Sequence, residues 1–479
     1  MKLHDYQSEH ILQVLEAFQK QRSVMLQMPT GTGKTHVFCD IAKHFYKQGK
    51  GRVLVLAHRN ELIQQIKERM SKFGISSGII KSGHKIEENR QVQIASVQTL
   101  CRRDKVLFLN NISLIIVDEA HHTPSSTYVA ILDTYQREHT KLLGVTATPL
   151  RLDGKGFEKI FDNLICSHPF KWFIENSFLS PVRHYASDIV KLENVSVVKS
   201  REGYRDYDEK QAERYYLNKT VMADIIDSYS RFGENKKAVV FAITIKHAEE
   251  ISKRFNEAGY NSCVISSSTK PNERHLHLEN FKKGKIQILV NVDIFSEGFD
   301  CPDIEVVQIV RPTKSLVKYL QMVGRVTRTA KEKKYAIILY NACLWQDHGL
   351  VSNDRVWTLN GCITQEHNFS DLHFADGSSG NDAYKRKLKE LFNIDMIEVD
   401  KIGLQNERTF TQQRLISVRK DYKVTWKQLT AYLKDNNVDI YDHLHGKCTD
   451  PDKKFVSEQL YDMIDRKYCS HKALNNLDF

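Results

Sequence analysis

Residues Met28-Pro29-Thr30-Gly31-Thr32-Gly33-Lys34-Thr35 match the spacing GxxxxGK[ST], with Met28 standing at the first glycine position. This set of residue types suits a phosphate. Gly31 and Gly33, alternating with Thr30 and Thr32, let backbone N–H groups wrap an anion at a helix N-terminus. Lys34 would reach the β- and γ-phosphates of a nucleotide, and the Thr35 hydroxyl would hold Mg²⁺. Further along, Asp118-Glu119-Ala120-His121 supplies two adjacent carboxylates directly after the apolar run Leu114 to Val117. At the C-terminal end of a buried strand, Asp118 would bind Mg²⁺, through water or directly, and Glu119 would orient and polarise an attacking water. An Asp-Glu pair alone is most often a solvated strand end; the loop upstream gives this pair its meaning.

Both motifs need strands beneath them. Val24 to Leu26, Val53 to Leu56, Val92 to Ile94, Leu114 to Val117 and Leu142 to Val145 read as buried strands, with helical patterns such as Glu61 to Lys72 between most of them. Strands alternating with helices predict a parallel sheet covered on both faces. The pattern breaks at residues 193–218, which are polar, charged and rich in tyrosine, and read as a linker or inserted surface segment. A second set of strands follows at Ala238 to Ala242, Ser262 to Ile265, Ile286 to Asn291, Val306 to Val310 and Tyr335 to Leu339. Residues 376–382 are small and polar, and the chain beyond them looks helical, with Trp426, Leu429 and Leu433 on one face. The expected division is a first domain at 1–185, a linker or insertion at 186–219, a second domain at 220–360 and a helical C-terminal region at 361–479.

With 479 residues there is room for about three domains. No apolar run approaches the roughly 18 residues of a membrane span, and the N-terminus has no hydrophobic stretch of a secretory signal. Nine scattered cysteines without a CxxC pair fit a reducing cytosol better than a disulfide framework. The net charge is +11, yet from Gly361 onward 18 Lys and Arg face 19 Asp and Glu. An electrostatic footprint on a polyanion such as nucleic acid therefore belongs to the first 360 residues.

The phosphate loop, Asp118-Glu119-Ala120-His121 and Thr146-Ala147-Thr148 come in the order of superfamily 2 helicase motifs. Asn291-Val292 through Glu297-Gly298-Phe299-Asp300, and Gln321-Met322-Val323-Gly324-Arg325-Val326-Thr327-Arg328, resemble motifs V and VI. Leu3-His4-Asp5-Tyr6-Gln7, Ala57-His58-Arg59-Asn60-Glu61-Leu62 and Ser96-Val97-Gln98-Thr99 resemble the adenine-reading element and motifs Ia and Ib. Leu54-Val55-Leu56-Ala57-His58 and Val310-Arg311-Pro312-Thr313 are similar to the bacterial RadD-like branch of DEAH-type DNA helicases. The likeness covers residues 3–328 and continues more weakly to about 361.

This resemblance implies an α/β protein of two tandem RecA-like domains, followed by a mainly helical region, with ATP and Mg²⁺ in the cleft between the domains. Gln7 would read adenine. Gly298 and Asp300 would reach the nucleotide from the second domain, along with Gln321, Arg325 and Arg328; Arg328 is the expected arginine finger, because a guanidinium is always charged and binds two oxygens at once. Arg59, Ser96, Gln98, Thr99 and Thr244 are candidates for nucleic-acid phosphate contacts, or else capping and solvated polar residues. Thr146, Thr148 and His121 would couple ATP to nucleic acid, or merely close strand ends. Relatives generally carry zinc-binding cysteine pairs after the motor; this chain offers only His443, His445, Cys448, Cys469 and His471, whose spacing favours satisfied or solvated residues over zinc. The implied activity is that of an ATP-dependent DNA helicase or translocase in repair, recombination or phage defence, cytoplasmic and bacterial or phage-encoded, binding single-stranded or branched DNA, with the C-terminal region as the candidate site for a protein partner. RNA helicase, or an ATP-gated motor subunit of a nuclease-containing complex, are the alternatives.

Overall fold

The computed structural model describes residues 3–58, 60–102, 109–151, 156–187, 192, 195–200, 204–233, 235–293, 301–342, 344–364 and 372–374. The chain forms two compact units, Met1–Gly380 and Asn381–Phe479, and every described residue lies in the first. The helical expectation around Trp426 and the residues weighed for zinc, His443 to His471, fall outside the described residues.

Strands that are apolar along their whole length need cover on both faces. β1 (Ser23–Gln27), β2 (Arg52–Ala57), β3 (Ser77–Ile80), β4 (Val92–Ser96), β5 (Ile112–Asp118), β6 (Lys141–Thr146) and β7 (Asn163–Cys166) form a parallel sheet in the order β3-β4-β2-β5-β6-β1-β7. Side-chain alternation splits their apolar runs between two cores. Val24, Val53, Val55, Leu114 and Ile116 face one, while Met25, Leu54, Leu56, Ile115 and Val117 face the other. Helix α1 (Asp5–Lys20) closes the first core with Tyr6, Ile11, Val14 and Phe18, and α2 (Lys34–Gln48) adds Val37, Phe38, Ile41 and Ala42.

The second sheet repeats the plan. β8 (Val182–Ala186) is followed by the small hairpin β9 (Val197–Lys199) and β10 (Arg205–Tyr207). β11 (Ala238–Phe241), β12 (Ser262–Ile265), β13 (Ile288–Asn291), β14 (Val306–Ile309) and β15 (Ala336–Tyr340) come next. A hairpin of β16 (Arg355–Thr358) and β17 (Gly361–Thr364) precedes β18 (Leu372–Phe374). The parallel order is β12-β13-β11-β14-β15-β8-β18. Among the described residues no helix is long and apolar enough to cross a membrane.

Each apolar run expected as a strand is one. The strands without a sequence signal are short or peripheral. β3 contains Gly78, where a Cβ would stand 2.4 Å from Gln93 Oε1, and β7 is a partly exposed edge. β8 pairs with β15, so the chain has joined the second sheet by Val182, ahead of the residue 185 boundary expected from sequence. Among the described residues of the polar stretch 193–218 are β9, β10 and the helix Glu209–Tyr216. Its polar groups dock on the second lobe. Asp206 accepts from Thr313 Oγ1 at 2.8 Å and Lys314 N at 2.7 Å, and buried Arg311 pairs with Glu209 at 3.1 Å and Asp293 at 2.6 Å. Tyr216, fully buried, donates to Asn341 O at 3.0 Å.

The β16–β17 hairpin turns back to the first lobe. Phe157 N donates to Leu359 O at 2.7 Å, Asn360 Nδ2 donates to Glu158, and Leu359 packs on the first lobe's second core. A Cβ on Gly156 would meet Asn360 Oδ1 at 2.0 Å, so the hairpin seats against bare backbone.

His247 is fully buried on the helix Ile245–Glu257, where its Nδ1 accepts from Ile243 N at 3.4 Å. Burial lowers its pKa from 6.5 to about 4. The unfolded chain therefore binds the proton more tightly, so the stability tied to neutral His247 is complete above pH 6.5 and is lost as pH falls to about 4. Between pH 7 and 4, wild type should lose about 2–3 kcal/mol more unfolding free energy in urea than His247→Gln; equal losses would show that His247 is not the proton acceptor.

Candidate active site

The phosphate loop, Asp118-Glu119 and Thr146–Thr148 stand at the C-terminal ends of the parallel strands β1, β5 and β6, where a doubly wound sheet opens to ligands. The phosphate loop leaves β1, and Met28 N donates to Thr146 O at 3.0 Å. Gly31 and Gly33 have φ of 90° and 85°, values that only glycine adopts readily. Gly33 lies where a Cβ would stand 2.3 Å from Gln7 Nε2. Tyr6 OH and Gln7 Nε2 both donate to Thr32 O, at 2.8 and 3.2 Å, and Thr32 Oγ1 donates to Pro29 O at 2.8 Å. The adenine-reading candidate therefore grips the loop itself. Thr35 sits in the first turn of α2. Lys34 Nζ donates to Met28 O at 3.3 Å and Pro29 O at 3.4 Å. Burial pushes its ammonium pKa down, Glu119 and Asp118 push it up, and Arg325 and Arg328 add to the lowering. One lysine thus feels both carboxylates of its own lobe and both arginines of the other.

Asp118 ends the fully buried β5. Its Oδ1 accepts from Glu119 N at 3.0 Å. Glu119 takes the left-handed backbone, φ 52° and ψ 54°, at the start of the 3₁₀ turn Ala120–His122. A non-glycine residue there costs on the order of 1–3 kcal/mol and persists only where its surroundings hold it. His121 Nδ1 lies 3.5 Å from Glu119 Oε2 and 3.1 Å from Thr146 Oγ1. Thr146 Oγ1 donates to Thr148 O at 3.2 Å and accepts from Thr148 N at 3.1 Å. His121, Thr146 and Thr148 are all buried and form one chain from the carboxylates to the end of β6.

The second lobe presents Gln321, buried on the helix Leu316–Val323, and then Arg325, also buried, and Arg328. Gly324 approaches so closely that a Cβ would stand 2.6 Å from Thr30 Cβ. A Cβ on Gly31 would lie 3.3 Å from Arg328 Cγ and 3.1 Å from Leu179 Cδ2. The structure therefore brings Lys34, Asp118, Glu119, Arg325 and Arg328 to one place. Gly298, Asp300 and Arg59 lie outside the described residues.

Ser96 Oγ donates to Gln98 Oε1 at 3.0 Å, and Gln98 Nε2 donates to His58 O at 3.1 Å, so these two tie the ends of β4 and β2. Thr99 Oγ1 accepts from Ser82 N at 3.3 Å. Thr244 caps the helix Ile245–Glu257, accepting from His247 N at 3.2 Å and donating to Glu213. Gln98 is the exposed member of the set. Sequence reasoning passed over Tyr6, whose place beside Gln7 was the available signal. It also passed over the His58–His122 stack, centroids 4.7 Å apart, which no local spacing announces.

The family profile described as "Type III restriction enzyme, res subunit" matches residues 1–151, and the helicase conserved C-terminal domain matches residues 220–330. A 51.5 kDa protein of Lactococcus phage (isolate 7-9) is 34% identical over 333 residues, covering 70% of this chain and 68% of its own. A DNA 3'-5' translocase, XPB2, of Sulfurisphaera tokodaii is 25% identical, covering 71% of this chain and 81% of its own. A solved fragment described as an HsdR subunit of a type I restriction enzyme from Vibrio vulnificus YJ016 shares the fold, with a TM-score of 0.55, 21% identity, and coverage of 78% and 69% of the two chains. The chain spans about half the length of some other curated relatives it matches. It belongs to the superfamily 2 helicases, nucleic-acid-dependent ATPases built on paired RecA-like lobes.

Lys34→Ala removes the cation at the centre of this cluster. Steady-state ATP hydrolysis should fall by roughly 10²-fold or more; turnover near wild type would remove the loop from the active site.

Proposed function

We propose that the chain is an ATP-driven DNA motor, a DEAH-type helicase or translocase close to the RadD-like branch, hydrolysing ATP at the cleft between its lobes. The observation that carries this reading is the electrostatic meeting at Lys34 of two carboxylates from one lobe and two arginines from the other. Backbone amides at Gly31 and Gly33 and the Lys34 ammonium take the phosphates. Thr35 and Asp118 offer the hard hydroxyl and carboxylate oxygens that suit Mg²⁺, which when bound would neutralise charge on the β- and γ-phosphates.

Glu119 orients a water for attack on the γ-phosphorus and receives its proton. The new P–O bond forms as the bond to the departing ADP breaks. Arg325 and Arg328 stabilise the charge spread over the transferring oxygens, contacts available only while the lobes are together. ATP thereby favours the closed state and its hydrolysis releases it, a cycle that becomes stepping if each lobe holds a strand. His121, Thr146 and Thr148 carry the change from the carboxylates toward β6. Ser96, Gln98 and Thr99 place candidate phosphate-contacting groups on the same rim, and Arg59 and Thr244 extend the proposed track. Gly298, Asp300, Gln321 and Gln7 complete the proposed nucleotide contacts.

DNA as the track is favoured by the archaeal relative named as a DNA translocase. The phage relative suits a phage or bacterial setting in the cytoplasm. A second reading has an observation of its own: the first lobe matches a profile named for a restriction-enzyme subunit. On that reading the chain is the motor of a larger complex, with the region after residue 380 as the partner-binding part.

Glu119→Gln should retain ATP binding while hydrolysis drops by about 10²-fold; unchanged turnover would take Glu119 out of the mechanism. The substrate is tested by ATP hydrolysis with no nucleic acid, single-stranded DNA, duplex DNA, forked DNA or RNA, with Lys34→Ala as blank. Stimulation by DNA is expected. Stimulation by RNA alone would overturn the DNA assignment, and no stimulation with ATP still bound would favour the partner-gated subunit.

A further inference from the structure

The turn that carries Arg328 has three consecutive backbone carbonyls, and each is held. Lys333 Nζ donates to Val326 O and, at 2.9 Å, to Arg328 O. Ser180 N donates to Thr327 O at 2.8 Å, and Ser180 Oγ donates to Arg328 O at 3.0 Å. The two donors come from different segments of the chain. Lys333 sits on the tight turn before β15, where its own N–H donates to Ala330 O at 3.1 Å. Its third contact is Pro302 O at 3.4 Å, so the ammonium, with three hydrogens to donate, has three main-chain oxygens within reach. Ser180 is buried in the segment between β7 and β8. It follows Leu179, which belongs to the first lobe's core and bridges to Arg328 through the backbone.

We propose that Lys333 and Ser180 are positioning residues for Arg328, clamping the Val326–Arg328 main chain so that the guanidinium is aimed at the phosphate loop. The proposal rests on the reading of Arg328 as the arginine finger. A long side chain on a free turn would sample many directions; fixing its main chain removes that freedom before the nucleotide arrives. Lys333 is mostly buried, and burial lowers its ammonium to about 8 against the pull of Glu305 and Asp303. A methionine would fill the same space without that desolvation, so the charge has work to do at the carbonyls it meets. Ser180 adds a link between lobes, because it reaches the finger turn from a segment rooted in the first core.

The test uses the full chain and measures kcat and KM for ATP with saturating single-stranded DNA and without it. Lys333→Met and Ser180→Ala should each lower kcat by about tenfold while KM stays within about twofold, and Lys333→Arg, which keeps a cation able to donate, should recover most of the loss. The double variant of Lys333→Met and Arg328→Ala should be no slower than Arg328→Ala alone, since a residue acting through the finger has nothing to position once the finger is gone. Arg328→Ala with a normal kcat would sink the finger assignment and this proposal with it. A low kcat for Arg328→Ala beside a normal one for Lys333→Met would overturn the positioning role alone. Multiplying losses in the double variant would do the same, because they would mark Lys333 as a structural contact independent of Arg328.

Discussion

The two lobes meet where side chains are missing. Gly324 lies against Thr30 and Gly31 against Arg328, each so near that a methyl group would crowd or collide with its neighbour. Everything proposed for this cleft depends on that approach. Arginines from one lobe can act on a phosphate loop in the other only if the intervening main chain comes within van der Waals distance. A single added carbon at Gly324 would hold the lobes apart at the place where the charges converge. The same two contacts explain why Lys34 is influenced at once by Asp118, Glu119, Arg325 and Arg328.

Around that contact the first lobe is over-determined. The loop is held by Tyr6 and Gln7 from α1, by Thr146 through Met28, and by its own Thr32 and Lys34. Glu119 is kept in an unfavourable backbone region by Asp118 and by the turn that follows, with His121 leaning toward its carboxylate. Strain of this kind fits a residue whose orientation matters more than its comfort. The buried imidazole and hydroxyl that follow it, His121 and Thr146, join the carboxylate to the end of β6.

Much of this was legible in the residues. Leu114 to Val117 and Ala238 to Ala242 read as strands because both faces of a parallel sheet are buried, which leaves no polar alternation to confuse the pattern. The phosphate loop was legible because its chemistry is local: glycine, lysine and threonine must follow one another. β3, β7 and β8 were not, since they are short, carry Gly78 or Arg183 and His184, or sit at an edge. Within the stretch 193–218, composition gave no sign of the contacts by which Tyr204, Asp206 and Glu209 engage one another or Arg311 and Thr313, because Arg311 and Thr313 lie far along the chain. Ser180 and Lys333 left no mark because each donates to main-chain carbonyls, which look the same beneath every side chain.

The hairpin of β16 and β17 changes the mechanics of the pair. The chain crosses from one lobe to the other before β8, and a single covalent crossing is a swivel about which a body can turn on three axes. Far along the sequence the hairpin returns and fastens at Phe157 and Glu158, with Leu359 seated against the first lobe's second core. Two anchorages separated in space define a line, and a body held on a line rotates about it alone. For the opening and closing proposed for this cleft, that line would leave one arc, along which Gly324 would meet Thr30 again in register.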